Sequence, residues 1–362
     1  MSLSVAVGVP GNPYRVVVCD LASWEALDLP EARERGRRAV LVTDENVARF
    51  WLDPVERSLR RVGWQAESIV LPAGEATKDF DHLSRVLECL CRIGVHRDGW
   101  VVALGGGVVG DLAGFAAACY LRGIALVQIP TSLLAMADSS VGGKVGINFG
   151  GGKNLVGAFH QPRLVITSPS FLTTLPDEEF ANGMAEVIKT GLIGDAVLFE
   201  RLEEAPQALW RRDPGAIEEV VARSVGFKAS IVARDEREAG ERRLLNFGHT
   251  IGHAIEAAGG FRLYRHGEAV AIGMVAATHL SIRLGVAQTS LLRRLLDLLA
   301  AYRLPVRAEG LTWDDLAPWL DHDKKAMEDG WTFVLTGDIG DARVRQQVSE
   351  ASVREAAQHI LG

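Results

Sequence analysis

The sequence predicts two domains, an α/β domain with a mostly parallel sheet over residues 1–176 and an all-α domain over residues 177–362. Three observations predict it. Short β-branched runs alternate with helical patterns through the first half, the pattern turns helical after Thr173-Thr174-Leu175-Pro176, and no low-complexity linker separates the halves. Residues 38–43, 66–71, 100–104, 125–129 and 164–167 read as buried strands, because each is a short apolar run rich in Val, Ile and Leu. Residues 79–93 between them carry apolar side chains at helical spacing, and so do 180–192, 216–233 and 291–302 in the second half. Domains joined without a linker pack directly and leave a cleft, the usual place for a ligand.

Composition narrows the function classes. The 362 residues are 48% hydrophobic and 23% charged with a net charge of −7, which suits a large enzyme and gives no basic field for nucleic acid. No stretch reaches the roughly 18 consecutive apolar residues of a membrane span, and MSLSVAVGVPGNPYR lacks the layout of a secretory signal, so a cytoplasmic location without membrane partners is expected. Cys19, Cys89, Cys91 and Cys119 lie in apolar stretches without paired metal-knuckle spacing and read as buried free thiols.

The strand at 100–104 runs into Gly105-Gly106-Gly107-Val108-Val109-Gly110-Asp111, which opens a helix of small residues. Glycines at 105, 107 and 110 fit a turn that brings backbone N–H groups and a helix N-terminus against a pyrophosphate, as in a Rossmann-like domain. The same turn also serves tight strand–helix packing, and no acid follows some twenty residues on. Asp44, ending the strand at 38–43, is a candidate for the adenosine ribose or for an N-cap of the next helix. Glu75 and Lys78 occupy another strand-end loop.

His249, His253 and His266 fall within eighteen residues of a chain that has nine histidines. Two of them are four apart, on one helix face, with Gly248 and Gly252 thinning that face for a neighbour or ligand. Two imidazoles and a carboxylate would hold zinc with a position open to substrate. The carboxylate is either Glu268 or Glu186, the latter paired with Lys189 on an apolar helix where a charge needs a partner. Lys144 and Lys153-Asn154 follow glycines, where backbone can approach an oxyanion, and Lys228, Arg242, Asn246, Lys324 and Lys325 add candidates for an anionic small molecule.

GGGVVGDLAGFAAACYLRG, IPTSLLAMADSSVGGKVGIN, GKNLVGAFHQP, GMAEVIKTG, LLNFGHTIGHAIEA, HGEAV and DKK, in that order, resemble the signature blocks of the 3-dehydroquinate synthase family of sugar phosphate cyclases, a resemblance that spans about residues 38–340. The resemblance implies a dehydroquinate synthase-like fold and a homodimer in which Arg122 reaches the neighbouring subunit's site. It implies zinc, with cobalt as a substitute, on Glu186, His249 and His266, which moves the carboxylate role from Glu268 to Glu186. NAD contacts are implied for Asp44, Asn46, Glu75, Lys78, Gly106, Gly107, Val108, Asp111, Thr131, Ser132, Leu134, Phe171 and Leu175, with Thr174 and Glu179 at the interdomain end of that site. Asp138, Lys153 and Asn154 are implied for both nucleotide and substrate. The substrate pocket adds Lys144, Lys189, Lys228, Arg242, Asn246, His253 and the Lys324-Lys325 pair. Departures from the family pattern are Ser132 for a second Thr, Val145 for Thr and His160 for an aromatic residue.

The activity so implied converts 3-deoxy-D-arabino-heptulosonate 7-phosphate to 3-dehydroquinate and phosphate in the shikimate route to aromatic amino acids. Hydride removal to NAD, phosphate elimination, hydride return and an intramolecular aldol closure follow one another in one site. Lys228 and Arg242 are implied for the substrate carboxylate, so a buried Lys228 argues against cyclases of the valiolone type, whose substrate has no carboxylate. An aminodehydroquinate synthase of antibiotic biosynthesis would share these residues. A metal polyol dehydrogenase of the glycerol dehydrogenase kind would share the two-domain plan but consume NAD stoichiometrically.

Overall fold

The structure is a computed structural model that describes residues 3–21, 38–61, 63–324 and 331–362. The chain divides into two compact units, Met1–Pro176 with Arg212–Glu236, and Asp177–Arg211 with Arg237–Gly362. No described helix is long and apolar enough to cross a membrane.

The first unit is built on a seven-stranded sheet. Its strands are β1 (Leu3–Val7), β2 (Tyr14–Val18), β3 (Arg38–Asp44), β4 (Gln65–Leu71), β5 (Trp100–Gly105), β6 (Ala125–Pro130) and β9 (Leu164–Thr167), in the order β1-β2-β9-β6-β5-β3-β4. Every pairing is parallel except β1 with β2. All six residues of β5 are buried, which is why the central strands read as unbroken apolar runs: helices cover both faces. Those helices are α1 (Glu45–Arg61), α2 (Phe80–Arg92), α3 (Gly107–Cys119) and α7 (Pro214–Arg234), and the antiparallel hairpin β7 (Lys144–Phe149) and β8 (Gly152–Phe159) packs on α3. Asp79 caps α2 by accepting a hydrogen bond from the His82 N–H at 2.8 Å.

The second unit is mainly helical: α4 (Asp177–Gly194), α5 (Ala196–Glu204), α6 (Pro206–Trp210), α8 (His249–Ala258), α9 (His266–Arg283), α10 (Thr289–Ala301), α11 (Trp313–Lys324) and α12 (Glu350–Gln358). Helix α9 is its axis, buried almost all round against α4, α8, α10 and α12. Glycine makes the α8–α9 approach possible: a Cβ on Gly273 would stand 2.0 Å from the Gly248 carbonyl oxygen.

The expectation of a single all-α domain over residues 177–362 is corrected in two ways. Helix α7 belongs to the first unit, because the apolar residues of its buried face pack on β1 and β2. The second unit also holds an antiparallel hairpin, β10 (Trp331–Asp338) and β11 (Asp341–Val348), whose turn uses Gly340 at φ 83°. Its second strand, DARVRQQV, is mostly exposed, and its apolar alternation stops after Ala342 and Val344. Of the four thiols expected to be buried, Cys19 and Cys89 are, while Cys91 and Cys119 are exposed.

Candidate functional site

In the first unit, β3, β5 and β6 lie side by side and parallel, so their C-terminal ends bring Asp44, the turn at 105–108 and Thr131-Ser132 to one edge of the sheet. The glycines there divide the work. A Cβ on Gly105 would meet the Val109 side chain at 2.7 Å and one on Gly110 would meet Gln128 Oε1 at 2.9 Å, so these two serve packing. Gly106 is the N-cap of α3 and places no side chain on its first-turn N–H groups, so the backbone at Gly107 and Val108 could receive an anion. Asp44 Oδ1 accepts from the backbone N–H of Asn46 at 2.9 Å and of Val47 at 3.0 Å; the N-cap alternative is therefore what this geometry contains. Asn46 is exposed, and Thr131, Ser132 and Leu134 follow β6, with Ser132 Oγ accepting from the Ala135 N–H at 3.3 Å.

A polar network links four more predicted residues. Lys78 Nζ donates to Asp111 Oδ2 at 2.7 Å and to Asn154 Oδ1, and lies 3.7 Å from Glu75 Oε1. Asn148, which the sequence reading missed, ties the ends together: its Nδ2 donates to Glu75 Oε1 at 2.8 Å and its Oδ1 accepts from the Asn154 N–H at 2.9 Å. Burial pushes the Asp111 carboxyl up, against the opposing pull of Lys78. Asn154 sits in the left-handed region at φ 55°, held by this network next to half-buried Lys153, whereas exposed Lys144 lies at the other end of the hairpin, opposite Phe159.

Asp138 lies in a π-helical turn, Ala135–Ser139, and receives two hydrogen bonds from Lys228 Nζ, at 2.7 Å to Oδ1 and 2.9 Å to its carbonyl. This corrects a premise of the sequence reading: Lys228 has an anionic partner within the chain, so its burial does not require a substrate carboxylate. Phe171 is buried edge-on against Trp51, whose Nε1 donates to Thr174 Oγ1 at 2.8 Å, and Leu175 is half-buried beside them. Arg122 is exposed at φ 68°.

The second unit assembles the histidine cluster. His249 and His266 are the first residues of α8 and α9, and Glu186 is buried in the middle of α4. Their Nε2 atoms stand 3.5 Å and 3.4 Å from Glu186 Oε1, and the three ligand atoms lie within 4.8 Å of one another. Glu186 Oε1 is buried without a hydrogen-bond partner, whereas Oε2 accepts from Lys189 Nζ. A buried carboxylate oxygen facing two imidazole nitrogens suits a divalent cation, and two histidines with one carboxylate are a zinc donor set. Burial pushes the His249 imidazole down to about 3, with Lys189 adding to it. For His266 burial acts in the same direction, but the nearby carboxylates of Glu186 and Glu256 outweigh it and hold the ring at about 9. Burial would raise Glu186, yet Lys189 and the two histidines hold it well below the usual carboxylate range.

His253 is exposed, with its ring 5.2 Å from that of His249. Asn246 Nδ2 donates to Glu238 Oε1 at 2.7 Å, and Arg242 is buried in the same short segment. Glu179 belongs to the second unit, where its Oε1 accepts from Arg265 Nε at 3.2 Å. Glu268, the rejected alternative ligand, accepts from the Arg265 N–H at 2.8 Å and caps α9 instead. Lys324 ends α11, and Lys325 lies outside the described residues. Glu238 and Glu256 were missed. Glu256 had a signal, because it lies seven residues after His249 on the apolar stripe of Gly252 and Ile255; Glu238, in a polar loop, had none.

Known proteins match both halves of the chain. Residues 68–182 match the family model described as 3-dehydroquinate synthase N-terminal, and residues 183–326 the one described as 3-dehydroquinate synthase C-terminal. The 3-dehydroquinate synthases of two strains of Acidithiobacillus ferrooxidans are 46% identical over 360 residues, covering 99% of this chain and 98% of theirs. Among solved structures, the 2-epi-5-epi-valiolone synthase of Streptomyces hygroscopicus subsp. jinggangensis 5008, with NAD+ and Zn2+ bound, is 31% identical over 96% of both chains with a TM-score of 0.87. A 2-deoxy-scyllo-inosose synthase, 24% identical over 99% of this chain and 100% of its own, has a TM-score of 0.86. A probable glycerol dehydrogenase of Sinorhizobium meliloti 1021, 15% identical over 95% of both chains with a TM-score of 0.61, shares the fold alone. With both halves matched by its models and nearly the whole chain aligned to its curated members, the protein belongs to the 3-dehydroquinate synthase family.

Proposed function

We propose that the protein is a 3-dehydroquinate synthase that converts 3-deoxy-D-arabino-heptulosonate 7-phosphate to 3-dehydroquinate and phosphate, using NAD and zinc. The observation that carries this reading is the cluster of Glu186, His249 and His266, in a chain whose full-length curated relatives have that activity. Bound there, zinc supplies a Lewis acid for a substrate hydroxyl, and the nicotinamide supplies a hydride acceptor that is restored within each turnover.

The chain's own residues do the rest. Lys189 neutralises the second oxygen of Glu186 and keeps the carboxylate ionised. The Gly106 cap and the α3 N-terminus take the pyrophosphate, and the Glu75–Lys78–Asp111–Asn154 network fixes the loops around it. Lys144, Lys153, Arg242, Asn246 and a lysine of the 324–325 pair offer donors to the phosphate and carboxylate of a polyanionic substrate. His253, its ring 5.2 Å from that of His249, hydrogen-bonds a substrate oxygen while a neighbouring C–H is deprotonated and phosphate leaves. Ring closure then needs mainly one held conformer.

A homodimer is part of this proposal. Supporting it are exposed Leu121, Leu155 and Phe159, and the left-handed Leu121-Arg122 pair, backbone strain suited to aiming Arg122 at a fixed target. Mixing inactive Arg122→Ala protein with inactive His249→Ala protein is expected to restore activity, because mixed dimers contain one complete site; no recovery would overturn the shared-site assignment. A cytoplasmic location is proposed with it.

The test of function is phosphate release from the heptulosonate phosphate with NAD far below the substrate concentration. Many turnovers per NAD are expected. Reaction that stops at one NADH per NAD would instead place the chain with the polyol dehydrogenases, and turnover only with a 4-amino substrate would place it with the aminodehydroquinate synthases.

A further inference from the structure

A carboxylate at 3% exposure is costly unless it is paired, and Glu256 on α8 is such a group. Its Oε2 lies 3.1 Å from Nδ1 of His266, the nitrogen that faces away from Glu186. His249 is backed in the same manner, with its Nδ1 3.2 Å from the Phe247 carbonyl oxygen. Both rings therefore have one nitrogen tied from behind and the other turned toward Glu186 Oε1.

We propose that Glu256 is a positioning residue of this site: it accepts the Nδ1 proton of His266, selects the tautomer with Nε2 free for the metal, and raises the donor strength of that nitrogen. The inference rests on the zinc assignment above. A carboxylate does more here than a carbonyl, because its full charge polarises the ring through a charge-assisted bond. Helix α8 then serves the site twice, presenting His249 at its first residue and, two turns on, the group that orients the ligand from α9.

A rival arrangement uses the same atoms. His253, Glu256 and His266 also bring ligand atoms within 4.8 Å of one another, and an ion there would take His266 by Nδ1. The two arrangements need opposite nitrogens of one ring and exclude each other. What decides between them is that Glu186 Oε1 is buried and unpartnered, while Glu256 Oε2 already receives a hydrogen bond.

The test compares Glu256→Gln with Glu186→Gln in the full chain, measuring zinc affinity by chelator competition and the visible spectrum after cobalt substitution. Glu256→Gln is expected to keep one zinc at saturation with affinity lowered about 10- to 100-fold, and to keep cobalt bands of wild-type intensity; Glu186→Gln is expected to fail to hold the metal. Wild-type affinity in Glu256→Gln would overturn the proposal, and so would metal loss as complete as in Glu186→Gln, which would make Glu256 a ligand. Zinc retained by Glu186→Gln would overturn the underlying ligand assignment instead. A measurement on unmutated protein stands beside the variants: in zinc-loaded, 15N-histidine-labelled enzyme, His266 is expected to carry its proton on Nδ1, and the opposite tautomer would sink the inference.

Discussion

An ammonium group as sheltered as that of Lys228 needs an anion beside it, and Asp138 supplies one through two hydrogen bonds. Replacing Lys228 by Met removes both and leaves the carboxylate facing an apolar chain, at a cost of about 1.5–3 kcal/mol. Urea unfolding measures this directly; unchanged stability would show that the pair contributes nothing. His249 makes the opposite case, because its proposed role lies in the metal rather than the fold. His249→Ala is expected to abolish stoichiometric zinc and lower turnover at least about a hundredfold, with helical circular dichroism preserved; retained zinc would remove His249 from the ligand set. Single residues were legible in the sequence where chemistry clustered them, as with the histidines, and illegible where the partner lies far along the chain. Lys228 and Asp138 are ninety residues apart, and no local pattern joins them.

The proposed metal ligands come from three helices, so helix packing sets their spacing. The closest approach is made by glycine: besides Gly273 on Gly248, a Cβ on Gly267 would stand 2.0 Å from the Asn182 carbonyl oxygen, between α9 and α4. Gly273→Ala is therefore expected to cost about 1–3 kcal/mol by forcing α8 from α9, and to weaken zinc binding because His249 moves with α8. Thermal melting and chelator competition on the same sample separate the two effects, and full zinc affinity at a lowered melting point would show that ligand spacing does not follow the crossing. Elements buried on both faces, such as β5 and β6, were legible because burial demands continuous apolar sequence. The hairpins were not. Gly157 in β8 sits where a Cβ would meet the Val145 carbonyl oxygen at 2.2 Å, a close backbone approach that replaces side-chain alternation with glycine.

At the scale of the molecule, acidity tests how the second unit is held together. His279 on α9 stacks on His359, ring centroids 4.0 Å apart and 3° from parallel, and burial, with His359 adding to it, pushes His279 down to about 4. Unfolded histidine titrates near ~6.5, so between there and pH 4 the unfolded chain binds the extra proton. The stability this group contributes is complete above the unfolded value and drains away as pH falls through that window. His279→Gln is expected to flatten the fall in melting temperature between pH 7 and pH 5 relative to wild type; an unchanged slope would exclude the stack as its source. The family and its activity were legible at this scale because seven motif blocks survive in order, whereas the membership of α7 was not, since its amphipathic pattern does not say which sheet it covers. That membership bears on synthesis. A nascent chain that has emerged only to Pro176 lacks the helix that lies over β1 and β2 and the lysine that binds Asp138, so the amino-terminal half cannot finish folding until some sixty further residues have left the ribosome.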